Sequence, residues 1–277
     1  MKELKGKVAA VTGAASGLGR SMALAFAAEG MDVALADVDE SGLKEVEQAV
    51  RARGVKAVTQ RVDVSRAQDV NAFRDRTLSA LGGVHVVCNN AGASTLGAAW
   101  ELSVADWQWI LGVNLWGVIH GVRAFTPHLL AQDEGHIVNT ASVSGLISPP
   151  GGAAYNVTKH AVVTLSESLH HELRERNSRV AVSVLCPAYV PTRISESERN
   201  RPHPPSQKSA ETLAREAMLK KAVASGKVSA DQVAQAVVAA VKEERFYILT
   251  HPRIKGAIQA RMEDILQERA PRNPMAL

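Results

Sequence analysis

Residues 8–19 read Val-Ala-Ala-Val-Thr-Gly-Ala-Ala-Ser-Gly-Leu-Gly, and this stretch decides the fold class. Its first four residues form a short apolar run that is typical of a buried strand. Three glycines follow, Gly13, Gly17 and Gly19, and helical spacing then continues to about Glu29. A strand, a glycine-rich turn and a helix in this order can hold the phosphates of a dinucleotide. The turn alone is a weak signal, because glycine also serves ordinary tight turns.

The same alternation of apolar runs and helical spacing continues along the chain. Strands are predicted at 8–11, 33–36, 57–62, 84–88, 136–140, 180–185 and 246–249. Helices are predicted at 17–29, 41–53, 67–81, 107–130 with a break near Gly112, 154–176 and 230–241. This order favours parallel βαβ units with right-handed crossovers. We therefore expect an α/β fold: a doubly wound, mostly parallel, seven-stranded sheet with helices on both faces.

We expect a single domain over residues 1–277, with one insertion and a tail. The insertion, about 193–227, is rich in charge and proline and contains a polar helix at about 209–224. We interpret it as a lid or specificity loop, with a plain surface excursion as the alternative. The tail, 252–277, has an apolar stripe that could pack on the body or on another subunit: Ile254, Ile258, Met262, Ile265 and Leu266.

The bulk composition excludes several classes of protein. Hydrophobic residues make up 46% of the chain and the net charge is +4, with no stripe that combines basic and aromatic residues. We therefore predict no nucleic-acid partner. No apolar run is long enough for a membrane span or a signal peptide. Cys88 and Cys186 each end an apolar run, so we expect no disulfide and a cytoplasmic location. The nine histidines are dispersed, so we predict no metal site.

The second predicted strand ends in a carboxylate, Asp37, about 20 residues after the glycines. Such a carboxylate accepts hydrogen bonds from the ribose diol of adenosine and repels a 2′-phosphate. Ser16 and Val38 bring no positive charge to hold that phosphate. We therefore predict NAD as the cofactor and rank NADP lower. The alternative is that Asp37 caps the next helix, although Asp39 or Ser41 can do that instead.

A candidate proton-transfer centre lies downstream of the cofactor turn. Tyr155 and Lys159 are four residues apart, so a helix places them on one face. A lysine ammonium stabilises a nearby phenolate, so we expect the pKa of Tyr155 to lie below its usual value of about 10. Ser142 would add a second hydroxyl for a carbonyl oxygen that gains charge as hydride arrives.

With these motifs the chain resembles the short-chain dehydrogenase/reductase family from about Lys5 to Thr250. The resemblance is carried by Thr12-Gly13-xxx-Gly17-x-Gly19, Asp63-Val64, Asn89-Asn90-Ala91-Gly92, Val113-Asn114, Ser142 and Tyr155-xxx-Lys159. It implies a Rossmann fold and an alcohol or ketone as substrate.

The resemblance also implies a set of residue roles. Tyr155 would be the general acid/base, Lys159 would lower its pKa and bind the nicotinamide ribose, and Ser142 would hold the substrate oxygen. Asn114 would support a water in a proton relay behind Lys159. The implied cofactor contacts are Gly13, Ser16, Gly17, Leu18, Gly19, Asp37, Asp63, Val64, Asn90, Ala91, Gly92, Tyr155, Lys159, Pro187, Val190 and Thr192.

One departure from the family pattern follows the sixth strand. The family usually has Pro-Gly there, whereas this chain has Pro187-Ala188. We expect the backbone at Ala188 to avoid positive φ and Tyr189 to project toward the substrate. The other expected pocket residues lie at 93–94, 143–146, 149–152 and 193–227 and are mostly small or apolar, which predicts a hydrophobic alicyclic, aromatic, terpenoid or steroid-like substrate.

The family also forms dimers and tetramers through the helices at 107–130 and 154–176, so we expect a homodimer or homotetramer. We interpret Trp107, Trp109 and Trp116 as core residues. Two rival functions stay open at this point. One is an NADPH-dependent 3-oxoacyl-type carbonyl reductase, and the other is a nucleotide-binding sensor that has lost turnover.

Overall fold

Seven parallel strands form one sheet in the order β3-β2-β1-β4-β5-β6-β7. The computed structural model describes residues 1–204 and 207–276, so two residues of the predicted insertion, Pro205 and Ser206, lie outside the described residues. The strands are β1 Val8–Thr12, β2 Asp32–Asp37, β3 Ala57–Arg61, β4 Val86–Asn89, β5 His136–Thr140, β6 Ala181–Leu185 and β7 Tyr247–Ile248. The sequence-based prediction of a doubly wound parallel sheet is confirmed.

Helices cover both faces of the sheet. They are α1 Gly17–Ala28, α2 Glu40–Arg51, α3 Ala67–Leu81, α4 Val104–Leu111, α5 Gly117–Gln132, α6 Ala153–Glu175, α7 Ala210–Ala224, α8 Ala230–Glu243 and α9 Ile254–Leu266. Successive strand residues point to opposite faces. On β1, Ala9 and Val11 pack with α1, α2 and α8, whereas Ala10 packs on the face that holds α3, α5 and α6. Because both faces are buried, the strands read as unbroken apolar runs.

The predicted helix at 107–130 is longer and more complex than its apolar spacing suggests. It begins at Val104, because Ser103 and Asp106 form a reciprocal capping box at its first turn. The expected break near Gly112 is a π-helical turn, Gly112–Trp116, that joins α4 to α5. Such turns widen the backbone ladder and often occur at functional sites. This one carries Asn114.

The aromatic and apolar residues of two segments are more exposed than expected. The core interpretation is wrong for Trp116, which is 48% exposed, while Trp107 and Trp109 pack against Ile110 and Ala154. On α9, Ile254 and Ile258 are partly buried, but Met262, Ile265 and Leu266 are exposed. Among the described residues, no helix is both long enough and apolar enough to cross a membrane.

A buried histidine makes the stability of this core sensitive to acid. His136 on β5 is fully buried, and its Nε2 lies 2.7 Å from the Ser183 hydroxyl, which itself donates to the Arg245 carbonyl. His136 Nδ1 has no hydrogen-bond partner among the described residues. Burial lowers the pKa of His136 from 6.5 to about 3. The folded protein therefore keeps this ring neutral at pH values where the unfolded chain protonates it.

We expect His136→Asn to make the free energy of unfolding depend less on pH in the acid range. Below pH 6.5 the unfolded chain binds a proton at His136, whereas His136 in the folded chain stays neutral. The free energy of unfolding therefore falls as the pH falls toward about 3. The slope from this one group approaches about 1.4 kcal/mol per pH unit. Urea unfolding of both proteins at pH 7.5, 6 and 5 measures it. Identical pH slopes for the wild type and the variant would contradict this account.

Candidate active site

The carboxyl ends of the central strands open into one continuous cleft of about 1290 Å³. Ligands of open parallel sheets bind at this edge. Among the predicted catalytic and cofactor residues, all except Asn114 and Gly19 line this cleft. The strand order alone therefore brings together, at one edge of the sheet, segments that lie more than 100 residues apart in the sequence.

The glycine-rich turn between β1 and α1 is shaped to receive an anionic group. Gly13 and Gly17 have φ values of +66° and +52°, which side chains other than glycine rarely adopt. The Ser16 side chain does not cap α1, which leaves the first-turn N–H groups of that helix for a ligand. Gly19 lies behind the turn, where an added Cβ would sit 2.0 Å from the Gly13 carbonyl oxygen. Its role is to let the turn close.

Asp37 is held at the end of β2 with its carboxylate toward the cleft. Its Oδ2 accepts from the Ala15 N–H at 3.0 Å, and its Oδ1 accepts from the Asp39 N–H at 3.1 Å. Asp39, not Asp37, caps α2 through a bond from the Gly42 N–H. The alternative interpretation of Asp37 as a helix cap is therefore wrong. Two fixed hydrogen bonds orient the Asp37 carboxylate, and the residues present fit an adenosine ribose.

Thr12 and Asn90 join the ends of β1 and β4 beneath the turn. The Thr12 hydroxyl accepts from the N–H groups of Asn90 and Ala91 at 2.9 and 3.1 Å. The Asn90 side chain donates to the Thr12 carbonyl at 3.0 Å. Asp63 follows β3, the edge strand beyond β2, and its Oδ1 accepts hydrogen bonds from the N–H and hydroxyl of Ser65. These contacts make the strand ends beneath the glycine-rich turn, where the cofactor is expected, rigid.

Lys159 on α6 reaches the carboxyl end of β5 from below. Its side chain is buried, and Nζ donates to the Thr140 carbonyl oxygen at 2.9 Å. Nζ lies 5.6 Å from the centroid of the Tyr155 ring, one turn earlier on the same helix. Burial lowers the pKa of Lys159 from 10.5 to about 8. The ammonium form still dominates at pH 7.

The predicted direction of the Tyr155 pKa is wrong for the protein alone. Burial raises it above the ordinary value of 10, while a hydrogen bond with Ser142 opposes that change. The reason is that desolvation of the buried phenolate is the largest effect, while the Lys159 ammonium donates to the Thr140 carbonyl. Tyr155 is therefore a protonated acid at neutral pH. Its hydroxyl shares the cleft with Ser142, which also accepts from the Ser144 N–H at 3.2 Å.

Asn114 is fully buried behind the cleft wall. Its Oδ1 accepts from the Ala93 N–H at 2.7 Å, and its Nδ2 donates to the Ala93 carbonyl at 2.9 Å and to Thr158 Oγ1 at 3.2 Å. A Cβ placed on Gly92 would lie 3.5 Å from Asn114 Oδ1 and 3.7 Å from Lys159 Nζ. Asn114 thus fixes the loop after β4 beside Lys159. Its part in a proton relay stays a prediction.

The segment after β6 bears out the expected backbone change. Ala188 is not among the residues of positive φ, and Tyr189, 41% exposed, lines the cleft. The Ala188 N–H donates to His251 Nδ1 at 3.2 Å, a contact with the tail that local sequence does not signal. Pro187, Val190 and Thr192 lie along the cleft as predicted, with Thr192 packed against Gly17.

The insertion folds over the cleft. Its first part, Arg193–Asn200, is a short 3-10 helix in which Ser197 accepts from the Ser94 N–H at 3.0 Å. In α7, Met218 and Leu219 line the cleft. The role of the insertion as a lid or specificity loop stays a prediction. The expected pocket residues Gly145, Leu146 and Gly151 do not line the cleft.

A buried ion pair fastens this insertion to α4. Arg201 and Asp106 form a salt bridge in which both side chains are only 2% exposed. The Arg201 guanidinium also lies 5.0 Å from the Trp109 ring centroid, in cation–π contact. Trp109 itself lines the cleft. Arg201 was missed by the sequence analysis because its partner is 95 residues away.

Further lining residues were not predicted as site residues, and most of them come from segments with no motif. They include Leu96, Ala105, Gln108, Trp109 and Ile147, and from the tail Ile254, Asn273, Pro274 and Met275. Among the described residues, no group of three or more His, Cys, Asp or Glu side chains could hold a metal.

Comparison with known proteins agrees with this geometry. The sequence model of the short chain dehydrogenase family matches residues 7–203. The chain belongs to this family of oxidoreductases. The matched range includes the glycine-rich turn and Ser142, Tyr155 and Lys159 of the cleft.

Three relatives illustrate the range of the family. A short chain dehydrogenase/reductase from Burkholderia phymatum, solved in complex with NAD, is 48% identical over 100% of both chains with a TM-score of 0.97. The CLA biosynthesis dehydrogenase/reductase of Lactiplantibacillus plantarum is 32% identical over 98% of this chain and 97% of its own length. The 1-deoxy-11-beta-hydroxypentalenate dehydrogenase of Streptomyces exfoliatus is 32% identical over 95% of this chain and 89% of its own.

We expect Arg201→Met to loosen the insertion. Removing one partner of a buried pair leaves a buried charge and costs about 3–5 kcal/mol. Because Arg201 ties a surface segment to α4, the loss should appear as faster amide hydrogen exchange across 193–204 and 207–224. Arg176→Met, at an exposed position after α6, is the matched control. Equal exchange in wild type and Arg201→Met would show that the pair does not hold the lid.

Proposed function

We propose that this protein is an NAD-dependent oxidoreductase that interconverts a secondary alcohol and a ketone with a hydrophobic body. The observation that carries the proposal is the meeting of Ser142, Tyr155 and Lys159 in one cleft with the glycine-rich turn. Two hydroxyls beside a buried ammonium suit a substrate oxygen that alternates between alcohol and carbonyl. A metal is not required for this chemistry.

The chain's own residues supply positioning and proton transfer. Gly13, Gly17 and Asp37 would hold NAD, which would supply the hydride acceptor when bound. Ser142 and Tyr155 donate hydrogen bonds to a ketone oxygen, and these bonds strengthen as that oxygen becomes an alkoxide. Tyr155 gives its proton in reduction and takes one in oxidation. Lys159, held by Thr140, favours the phenolate once it forms.

NAD as the preferred cofactor follows from Asp37. Its oriented carboxylate suits a ribose diol and repels a 2′-phosphate. The Burkholderia phymatum relative was solved with NAD. The NADPH-dependent 3-oxoacyl-type reductase is less favoured for the same reason. A sensor without turnover is less favoured because the complete set of catalytic groups is present.

A hydrophobic substrate follows from the lining of the other half of the cleft. Ile147, Trp109, Met218 and Leu219 add apolar surface to the cleft that also contains Ser142 and Tyr155. The Streptomyces exfoliatus relative is named as a dehydrogenase of 1-deoxy-11-beta-hydroxypentalenate, a hydroxylated compound, which supports an alcohol as the substrate.

A homodimer or homotetramer in the cytoplasm completes the proposal. Trp116 beside α5 and Val157 on α6 are 48% and 49% exposed, on the two helices expected to form the subunit interface. Both cysteines are free and buried, which suits a reducing compartment. Light scattering after size-exclusion chromatography measures the assembly.

Tyr155→Phe tests the reaction itself. Loss of a general acid/base should lower kcat/KM by about 10²–10⁴-fold, measured by absorbance of the reduced nicotinamide on a panel of secondary alcohols. Tyr247→Phe, which removes an exposed hydroxyl bonded to Glu167, should stay within about twofold, since surface changes are small. A fully active Tyr155→Phe enzyme would refute the mechanism.

Asp37→Asn tests the cofactor preference. Loss of charge-assisted hydrogen bonds worth about 1.5–3 kcal/mol should lower kcat/KM for NAD by roughly 10- to 100-fold. The difference in kcat/KM between NAD and NADP should become smaller. The control is Asp32→Asn at the opposite end of β2, where the carboxylate accepts from the Lys56 N–H. If the ratio of NAD to NADP efficiency stays unchanged in Asp37→Asn, another residue sets the preference.

A further inference from the structure

The last residues of the chain are tied down by one buried carboxylate. Asp264, near the end of α9, is 3% exposed. It accepts from the Arg272 backbone N–H and from Arg272 Nε, each at 3.0 Å, and pairs with Arg269 at 3.1 Å. Arg272 Nη2 also donates to the Ala260 carbonyl at 2.8 Å. These contacts fold residues 267–272 back along α9, and we call them the tail clasp.

The tail clasp delivers the final residues to the cleft. Directly after Arg272, the residues Asn273, Pro274 and Met275 line the cleft, the last two within a short 3-10 helix. Ile254, at the first turn of α9, lines it as well. Ile254 and residues 273–275 therefore line the same cleft.

The start of the tail is connected to the region around Ser142. Pro187 lies next to the catalytic serine, because the Ser142 hydroxyl donates to its carbonyl at 3.4 Å. The next residue, Ala188, donates to His251, and the His251 carbonyl accepts from the Ile254 N–H at 3.1 Å. A continuous set of contacts thus leads from Ser142 to the start of α9.

Two exposed methionines also line this cleft. Met218 on α7 and Met275 in the tail are 72% and 60% exposed, yet both line the cleft. Single exposed apolar residues are common on protein surfaces. Two flexible thioether side chains on the lining of one cleft are suited instead to an apolar ligand of variable shape.

We propose that residues 254–276 form a specificity wall that binds the apolar part of the substrate farthest from the reacting carbon. The wall selects elongated hydrophobic alcohols over short ones. This inference rests on the proposed function of the cleft, and it adds a determinant in a segment with no catalytic motif.

The decisive variant is Met275→Glu, compared with Leu266→Glu. Leu266 lies at the end of α9, is 82% exposed and is not part of the cleft lining. We expect Met275→Glu to lower kcat/KM for 2-decanol about tenfold, since losing contact with one to two methylene groups has an effect of that size. The value for 2-butanol should stay within about twofold, because a short substrate does not reach the wall. Leu266→Glu should match the wild type on both alcohols.

A second variant tests the tail clasp independently of the methionine. Asp264→Asn removes the charge that holds Arg272 and Arg269, so the tail should become sensitive to trypsin after those arginines. The same selective loss on 2-decanol should follow. If Asp264→Asn does not fold, Met275→Glu alone decides.

Binding of 2-decanone with NAD present, followed by quenching of tryptophan fluorescence, separates this inference from the proposed function. If the wild type turns over neither alcohol but binds 2-decanone more tightly than Met275→Glu does, the reaction is wrong and the wall stands. If both alcohols are oxidised and Met275→Glu keeps the wild-type ratio of 2-decanol to 2-butanol efficiency, the wall is refuted. Absence of both turnover and binding refutes both.

Discussion

The hydrogen bond from Lys159 to the Thr140 carbonyl fixes the geometry on which the active site depends. It places a buried ammonium at the carboxyl end of β5 and thereby sets the position of Tyr155, one helical turn away. Burial acts against the charged form of both groups: it lowers the pKa of Lys159 to about 8 and raises that of Tyr155. In the protein alone the phenol is neutral and the amine is mostly cationic at pH 7. Tyr155 is therefore ready to act as an acid in the protein alone. Bound ligands must supply the additional electrostatic stabilisation of the phenolate that lets it act as a base.

The two halves of the cleft are built differently. The cofactor half consists of strand ends and the turn into α1, which contacts such as Thr12 with Asn90 make rigid. The substrate half is closed by α7 and the tail, which are attached through long-range contacts. The family match ends at residue 203, before both of these segments.

The fold was predictable because its signals are local. Apolar runs of four to six residues, glycine at turns and Asp39 near a helix start each report on their own neighbourhood, and right-handed crossovers then leave few topologies. Most residues predicted for the site do line the cleft, because they sit at strand ends or at helical spacing. The sequence could not reveal the Arg201 pair with Asp106 or the tail clasp, since both join segments through tertiary packing. The error on Tyr155 has the same origin: sequence shows the neighbouring charge but not the desolvation that outweighs it.

A crystal structure with NAD and 2-decanone tests the central claim most directly. Both ligands are in their oxidised forms, so they bind together without reacting. The ketone oxygen should lie within about 2.7–3.0 Å of both the Ser142 and Tyr155 hydroxyl oxygens. A ketone bound with its oxygen away from these two hydroxyls would contradict the assignment of the reaction centre.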